Sequence, residues 1–133
     1  MSELGFVHLN LNWNAEPNAP SPALIIVGND AELSFLLDDY PSEAERRAIV
    51  RFINCSRWRW DPTNDHGWFD GNGRFSQQAP KWGEFYEIIG DDVAGRELDW
   101  EIIAPDAPGT RHFLFYFRDE TIECIAMDWS ISV

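Results

Sequence analysis

Cations are scarce in this chain. Its 133 residues hold 10 Lys or Arg against 23 Asp or Glu, a formal net charge of −13, and Lys81 is its single lysine. Residues 1–40 carry no Lys or Arg at all, whereas Arg46, Arg47, Arg51, Arg57 and Arg59 place half of the basic residues in one short segment. Such a balance repels polyanions, so nucleic acid is disfavoured as a partner and a basic protein is favoured.

Cysteine and histidine are nearly as rare. Cys55 and Cys124 have no C-x-x-C spacing, and two buried, reduced thiols are the expectation. The three His residues stand apart, without the spacing of a zinc site. Asp61-x-Thr63-x-Asp65 opens like a calcium loop but puts His66 where the sharp turn needs Gly, so no metal or other cofactor is expected. There is no Gly-x-Ser-x-Gly elbow and no Gly-rich phosphate loop. An enzyme would need Cys55 or Cys124 to meet His66 or His112 in space, or two carboxylates among Glu84, Glu87, Glu123 and Asp128 to act as acid and base. Spacing alone shows neither, and catalysis is the lesser expectation.

Long apolar runs are also missing. No stretch approaches the ~18 residues of a membrane span, and the start MSELGFVHLNLNWNAEP lacks a basic region followed by an apolar one. The expectation is a cytoplasmic protein without membrane association. The Asn54-Cys55-Ser56 glycosylation pattern carries no weight in that setting.

What the chain does have is apolar and aromatic surface. Hydrophobic residues make up 44% and aromatic residues 14%, which is enough buried area to offset the entropy of ordering despite the charge. Residues 1–133 are expected to form one domain.

Period-2 alternation is the dominant pattern, and it is clearest from Arg111 to Val133 (RHFLFYFRDETIECIAMDWSISV). With Asp119 and Glu120 as a two-residue loop, Phe117 faces Ile122, Phe115 faces Cys124 and Phe113 faces Ala126, giving one apolar face. That loop lacks the Gly or Asn-Gly of a primed turn, so a longer loop with shifted register is the alternative. The other face runs through His112, Leu114, Tyr116, Arg118, Thr121, Glu123, Ile125, Met127 and Trp129, a mixed surface open to solvent, a ligand or a partner, and one that permits a homodimer.

Earlier segments repeat the theme. Residues 5–13 alternate with Val7, Leu9, Leu11 and Trp13 as the apolar set, and residues 23–38 form a hairpin around Gly28-Asn29-Asp30. Ser42 with Glu45 fits a capping box and predicts a short helix, followed by one strand from about Ile49 to Trp60. Asp61 to Gly83 is rich in turn residues and reads as loop, with room for one short strand, while its aromatic residues argue against disorder. FYEII and WEII, starting at Phe85 and Trp100, read as two further strands. The sum is a mainly β chain: an antiparallel β-sandwich or partly open barrel of about seven to eight short strands with at most one or two short helices. An α+β arrangement, one helix across an antiparallel sheet, is the alternative.

Candidate binding residues cluster in the middle. Arg57 and Arg59 alternate with Trp58 and Trp60, so guanidinium groups and indoles take opposite strand faces. Trp68, Trp82 and Tyr86 follow, and Asp65, His66 and Asp70 surround Trp68 with polar groups. Trp and Arg are frequent interface anchors, and indoles stack on sugars and other flat ligands. Each Trp could equally be core. The leading functional expectation is a small acidic, non-catalytic binding protein for a basic protein partner; an immunity or inhibitor protein fits that description. A small-ligand or carbohydrate-binding domain using the Trp-rich loop is the alternative, and an enzyme centred on His66 or His112 is a third.

Overall fold

The computed structural model describes residues 4–38 and 46–133. The capping box expected at Ser42 and Glu45 lies outside the described residues. Among the described residues, ten strands form two antiparallel sheets that face each other as a sandwich. These are β1 (Gly5–His8), β2 (Ala23–Val27), β3 (Asp30–Leu36), β4 (Arg47–Ile53), β5 (Arg57–Asp61), β6 (Phe85–Ile89), β7 (Glu101–Ile102), β8 (Arg111–Tyr116), β9 (Thr121–Ala126) and β10 (Asp128–Ser132). One sheet runs β1-β6-β8-β9-β5-β7 and the other β10-β4-β3-β2. A five-residue helix α1 (Asp65–Phe69) and a 3-10 turn (Ala94–Glu97) are the helical elements among the described residues. The α+β alternative therefore does not describe this chain.

Alternation sets the inter-sheet core. Ala31, Leu33 and Phe35 of β3 and Ala48, Val50 and Phe52 of β4 point inward from one sheet, while Phe85, Phe113, Phe115, Ile122 and Cys124 point inward from the other. Phe115 stacks on Phe85 and on Phe117 with ring centroids 5.0 and 4.2 Å away, so aromatic area supplies much of the burial. The turn between β2 and β3 is the two-residue Gly28-Asn29, with Gly28 at φ 63° where a primed turn needs a positive φ.

The structure departs from the sequence expectations at four strands. The terminal hairpin pairs Phe115 with Ile122 and Phe113 with Cys124, two residues away from the two-residue-loop register. The loop is the longer one, closed by the Phe117 amide donating to the Glu120 carbonyl at 2.8 Å. Because the shift is even, the same side chains still face the core. The strand expected over Ile49 to Trp60 breaks at Asn54, which takes φ 51°, so β4 and β5 belong to different sheets. The strand expected over residues 5–13 ends at His8, and its expected apolar set divides: Leu9 and Trp13 pack against the inter-sheet core, whereas Val7 and Leu11 are exposed and Phe6 packs against Phe75 and Tyr86. WEII is shorter than expected, with only Glu101–Ile102 in β7.

The stretch 62–84 lies across the outer face of the six-stranded sheet as a third layer. Asn64 caps α1 by accepting from the Gly67 amide, 2.8 Å away, and the helix turns Trp68 inward. Trp68, Phe75 and Ala79 pack with Tyr86, Ile88, Leu114 and Tyr116 in a second core. The mixed hairpin face is thus covered by the chain itself. Trp129, placed by alternation on that face, instead sits between the sheets, because the chain crosses from one sheet to the other at Met127.

Candidate functional site

β9 reads TIECIA, with Ile122, Cys124 and Ala126 directed to the inter-sheet core and Thr121, Glu123 and Ile125 directed outward. In a bare sandwich Glu123 would be wet. Under the third layer it is 0% exposed, and a buried carboxylate must be paired and hydrogen-bonded.

Its partners come from three places. Arg59 is directly opposite on β5, and its Nη1 donates to Glu123 Oε2 at 3.0 Å. His112 on β8 brings Nε2 to 2.8 Å from Oε1. Arg74, from the third layer, donates from Nε to Oε2 and from Nη2 to Oε1, both at 3.0 Å, a two-pronged guanidinium clamp. Arg74 also binds Asp92, which ties the turn after β6 to the same point. Two carboxylates and two guanidinium groups balance here, and Asp61 adds a further carboxylate 3.6 Å from Arg59.

Surrounding contacts fix the clamp. The Arg74 guanidinium stacks 4.2 Å from the Phe75 ring centroid, and the Tyr116 hydroxyl donates to the Arg74 carbonyl at 2.7 Å. A Cβ at Gly95 would come 2.1 Å from Asp92 Oδ2, so a side chain there would displace the carboxylate that Arg74 holds. Burial works to raise the Glu123 pKa, but the hydrogen bonds from His112 and Arg74 outweigh it and hold the group at about 2. Burial likewise opposes the charge on Arg74, and the Glu123 and Asp92 hydrogen bonds overcome it and raise its pKa. Burial also raises Tyr86, to about 12, and Tyr116 further.

Glu123 therefore stays ionised and saturated with donors, which suits a structural clamp better than a general base. Ligand atoms of Asp92, His112 and Glu123 lie within 4.8 Å of one another, a spacing a metal ion can use. Arg74 already bonds both of those carboxylates and supplies the positive charge there. Beside the cluster, Trp100, Arg57, Arg111 and His112 border a cleft of about 300 Å3, with the Arg57 guanidinium 4.6 Å above the Trp100 ring.

The residues singled out in the sequence divide into three groups. Arg59 joins the cluster, and Arg57 lies at its cleft and within 3.4 Å of Asp106. Trp68 and Tyr86 are in the second core, with Trp82 packed against it; Trp60, like Trp58, turns toward the inter-sheet core. His66 Nε2 and Asp70 Oδ2 lie 3.3 Å apart on the exposed side of α1 and its C-cap, away from the buried Trp68. Asp65 begins that helix. Arg74 and Asp92 escaped sequence reasoning because both lie in turn-rich stretches without periodicity. One partial signal was present: a glutamate in the mostly apolar TIECIA strand demands a cation, which calls for an Arg without naming which one and says nothing of Asp92.

A second concavity of about 490 Å3 is lined by Lys81, Trp82, Glu84, Tyr116 and Arg118 together with Asn14–Asn18. Trp82 packs there on Tyr116 with ring centroids 4.7 Å apart, and Glu84 Oε2 is 2.6 Å from His8 Nε2. No family model, curated protein or solved structure matches this chain, so its chemistry is argued from its own residues.

Proposed function

We propose that this chain is a non-catalytic binding protein that presents an acidic face to a basic protein partner. The observation that carries this reading is where the charge goes. Arg51, Arg57, Arg59, Arg74, Arg96 and Arg111 are all engaged with the chain's own carboxylates. The acidic excess is left on the surface, and it concentrates around β7: Glu97, Asp99 and Glu101 are exposed between Asp91, which pairs with Arg96, and Asp106, which pairs with Arg57. Val93 and Ile102 are exposed in the same segment, at 60% and 67%. Apolar groups rimmed by one sign of charge suit a partner steered by electrostatics and held by desolvation.

The test is a pull-down with the tagged protein at low and moderate salt, beside a Glu97→Lys/Asp99→Lys/Glu101→Lys variant. A stoichiometric basic protein that binds the wild type, elutes as salt rises and is lost by the variant is the expected result. Binding that ignores both salt and the three substitutions would sink the reading.

A second reading is a small-ligand site at Trp82, favoured by the half-buried indole that shares a concavity with Lys81, Glu84 and Arg118. A saturable change in Trp fluorescence that Trp82→Ala removes would support it. Unchanged titrations in that variant would exclude it.

A further inference from the structure

We propose that the free edge of β2 is the contact through which two copies of this chain pair, antiparallel, about a two-fold axis at Ile25. This goes beyond the basic-partner reading and does not rest on it. β2 ends the order of its sheet, so among the described residues one side of Ala23–Val27 has no strand beside it. Exposed edges are ordinarily blunted by charge, proline or a bulge. Ala23–Val27 (ALIIV) contains none of these, and Ile25, Ile26 and Val27 are 57%, 42% and 43% exposed.

The backbone geometry is self-complementary. The two-residue turn makes Val27 and Asp30 a hydrogen-bonded pair, so Ala23, Ile25 and Val27 direct their amides and carbonyls to β3. Leu24 and Ile26 then direct theirs to the open edge. When a second copy aligns antiparallel with Ile25 opposite Ile25, each Leu24 meets the other copy's Ile26, and all of these groups pair. The two four-stranded sheets become one continuous sheet. The same register brings the two Ile25 side chains together on the outer face and sets Ala23 beside Val27.

Charge selects a second copy as the occupant. At −13 overall, two copies repel over most of their surface. Beside β2 the repulsion is cancelled: Arg51 lies 2.7 Å from Asp30 and 3.7 Å from Glu32, and Arg47 Nη2 donates to the Ser21 carbonyl at 2.9 Å. A basic partner gains nothing from an uncharged strand with neutralised flanks, whereas an acidic copy can approach there.

The experiment is sedimentation velocity on the full chain from micromolar to millimolar concentration, for the wild type and Ile25→Lys. Wild type should shift with concentration from the monomer to twice its mass. Ile25→Lys, which sets like charges face to face at the axis, should lose that shift while its circular dichroism stays unchanged. A second variant, Ile25→Cys, should form an interchain disulfide under mild oxidation, two thiols giving one S–S bond and two protons and electrons passing to added oxidised glutathione. Glu97→Cys, in the exposed 3-10 turn, should not. A wild type that stays monomeric throughout, or an Ile25→Lys dimer as stable as the wild type, overturns the proposal.

Discussion

His112 Nε2 lies 2.8 Å from Glu123 Oε1 on the side of the six-stranded sheet that faces away from the sandwich interior. A buried carboxylate at that place has meaning only because residues 62–84 and the turn after β6 seal it. The cluster joins Arg59 on the sheet to Arg74 and Asp92 in the covering loops. Its contribution is to hold the third layer down, and the following outcomes test that role.

Acid should unfold this protein through Glu123. Its pKa is about 2 in the folded chain against an ordinary 4.5. A depressed carboxylate contributes stability that is present above the unfolded value and is lost as pH falls through the folded one, so the loss runs from about pH 4.5 down to about pH 2. Asp30, held low by the Asn54 amide and Arg51, adds in the same direction. Each tenfold change in proton affinity is worth ~1.4 kcal/mol, which makes the Glu123 share about 3 kcal/mol. Urea titrations at pH 7, 4 and 2.5 should show a steep acid limb that Glu123→Gln flattens; equal limbs would contradict the assignment.

Removing the clamp should cost more than removing a surface pair. Arg74→Met leaves Glu123 buried with fewer donors, and breaking a buried pair costs roughly 3–5 kcal/mol. Arg74→Lys keeps the charge but loses the fork, so it should fall between wild type and Arg74→Met. Hydrogen exchange should speed up first in residues 62–84, the layer the clamp secures.

Alkali should report on the second core. Burial and the Glu84 charge raise Tyr86 to about 12. A raised pKa means the folded state is favoured fully below the ordinary value of 10, and that stability is lost as pH rises toward 12. Tyr86→Phe should reduce that alkaline loss and leave the share of Tyr116, read by phenolate absorbance and unfolding together.

The two faces of α1 should respond differently to truncation. Trp68 is 7% exposed in the second core, so Trp68→Ala should destabilise by roughly 3–5 kcal/mol. His66 is 85% exposed at its side chain, so His66→Ala should change stability by less than about 0.5 kcal/mol. Thermal melts of the two variants read the contrast directly.

The thiols should be silent in the native state. Cys55 and Cys124 are 1% and 0% exposed, and burial pushes the Cys124 pKa up. Labelling by an aromatic disulfide reagent should therefore track global unfolding as denaturant rises. Fast labelling without denaturant would place one thiol at the surface.

How much of this was legible beforehand follows from the range of the forces involved. Alternation is a local property, so the strands of residues 23–36, 85–89 and 111–126, and the inward set of Phe113, Phe115, Phe117, Ile122 and Cys124, could be read directly. Even the hairpin register, displaced by two residues, left those faces unchanged because the strand period is two. Sheet membership is not local. One residue at φ 51°, Asn54, moves Trp58 and Trp60 into the other sheet, and nothing in the RWRW pattern encodes that. Nor does any periodicity say that the turn-rich stretch after Asp61 folds back over the sheet, turning a solvent-facing hairpin surface into a second core. His112 and Glu123 share one face of the terminal hairpin, but Arg74 and Asp92 lie far from both in the chain, and only that covering layer brings those two to them. The sequence by itself determined which faces are apolar; the tertiary structure decided what each polar face meets, because burial and charge pairing depend on neighbours that no short window contains.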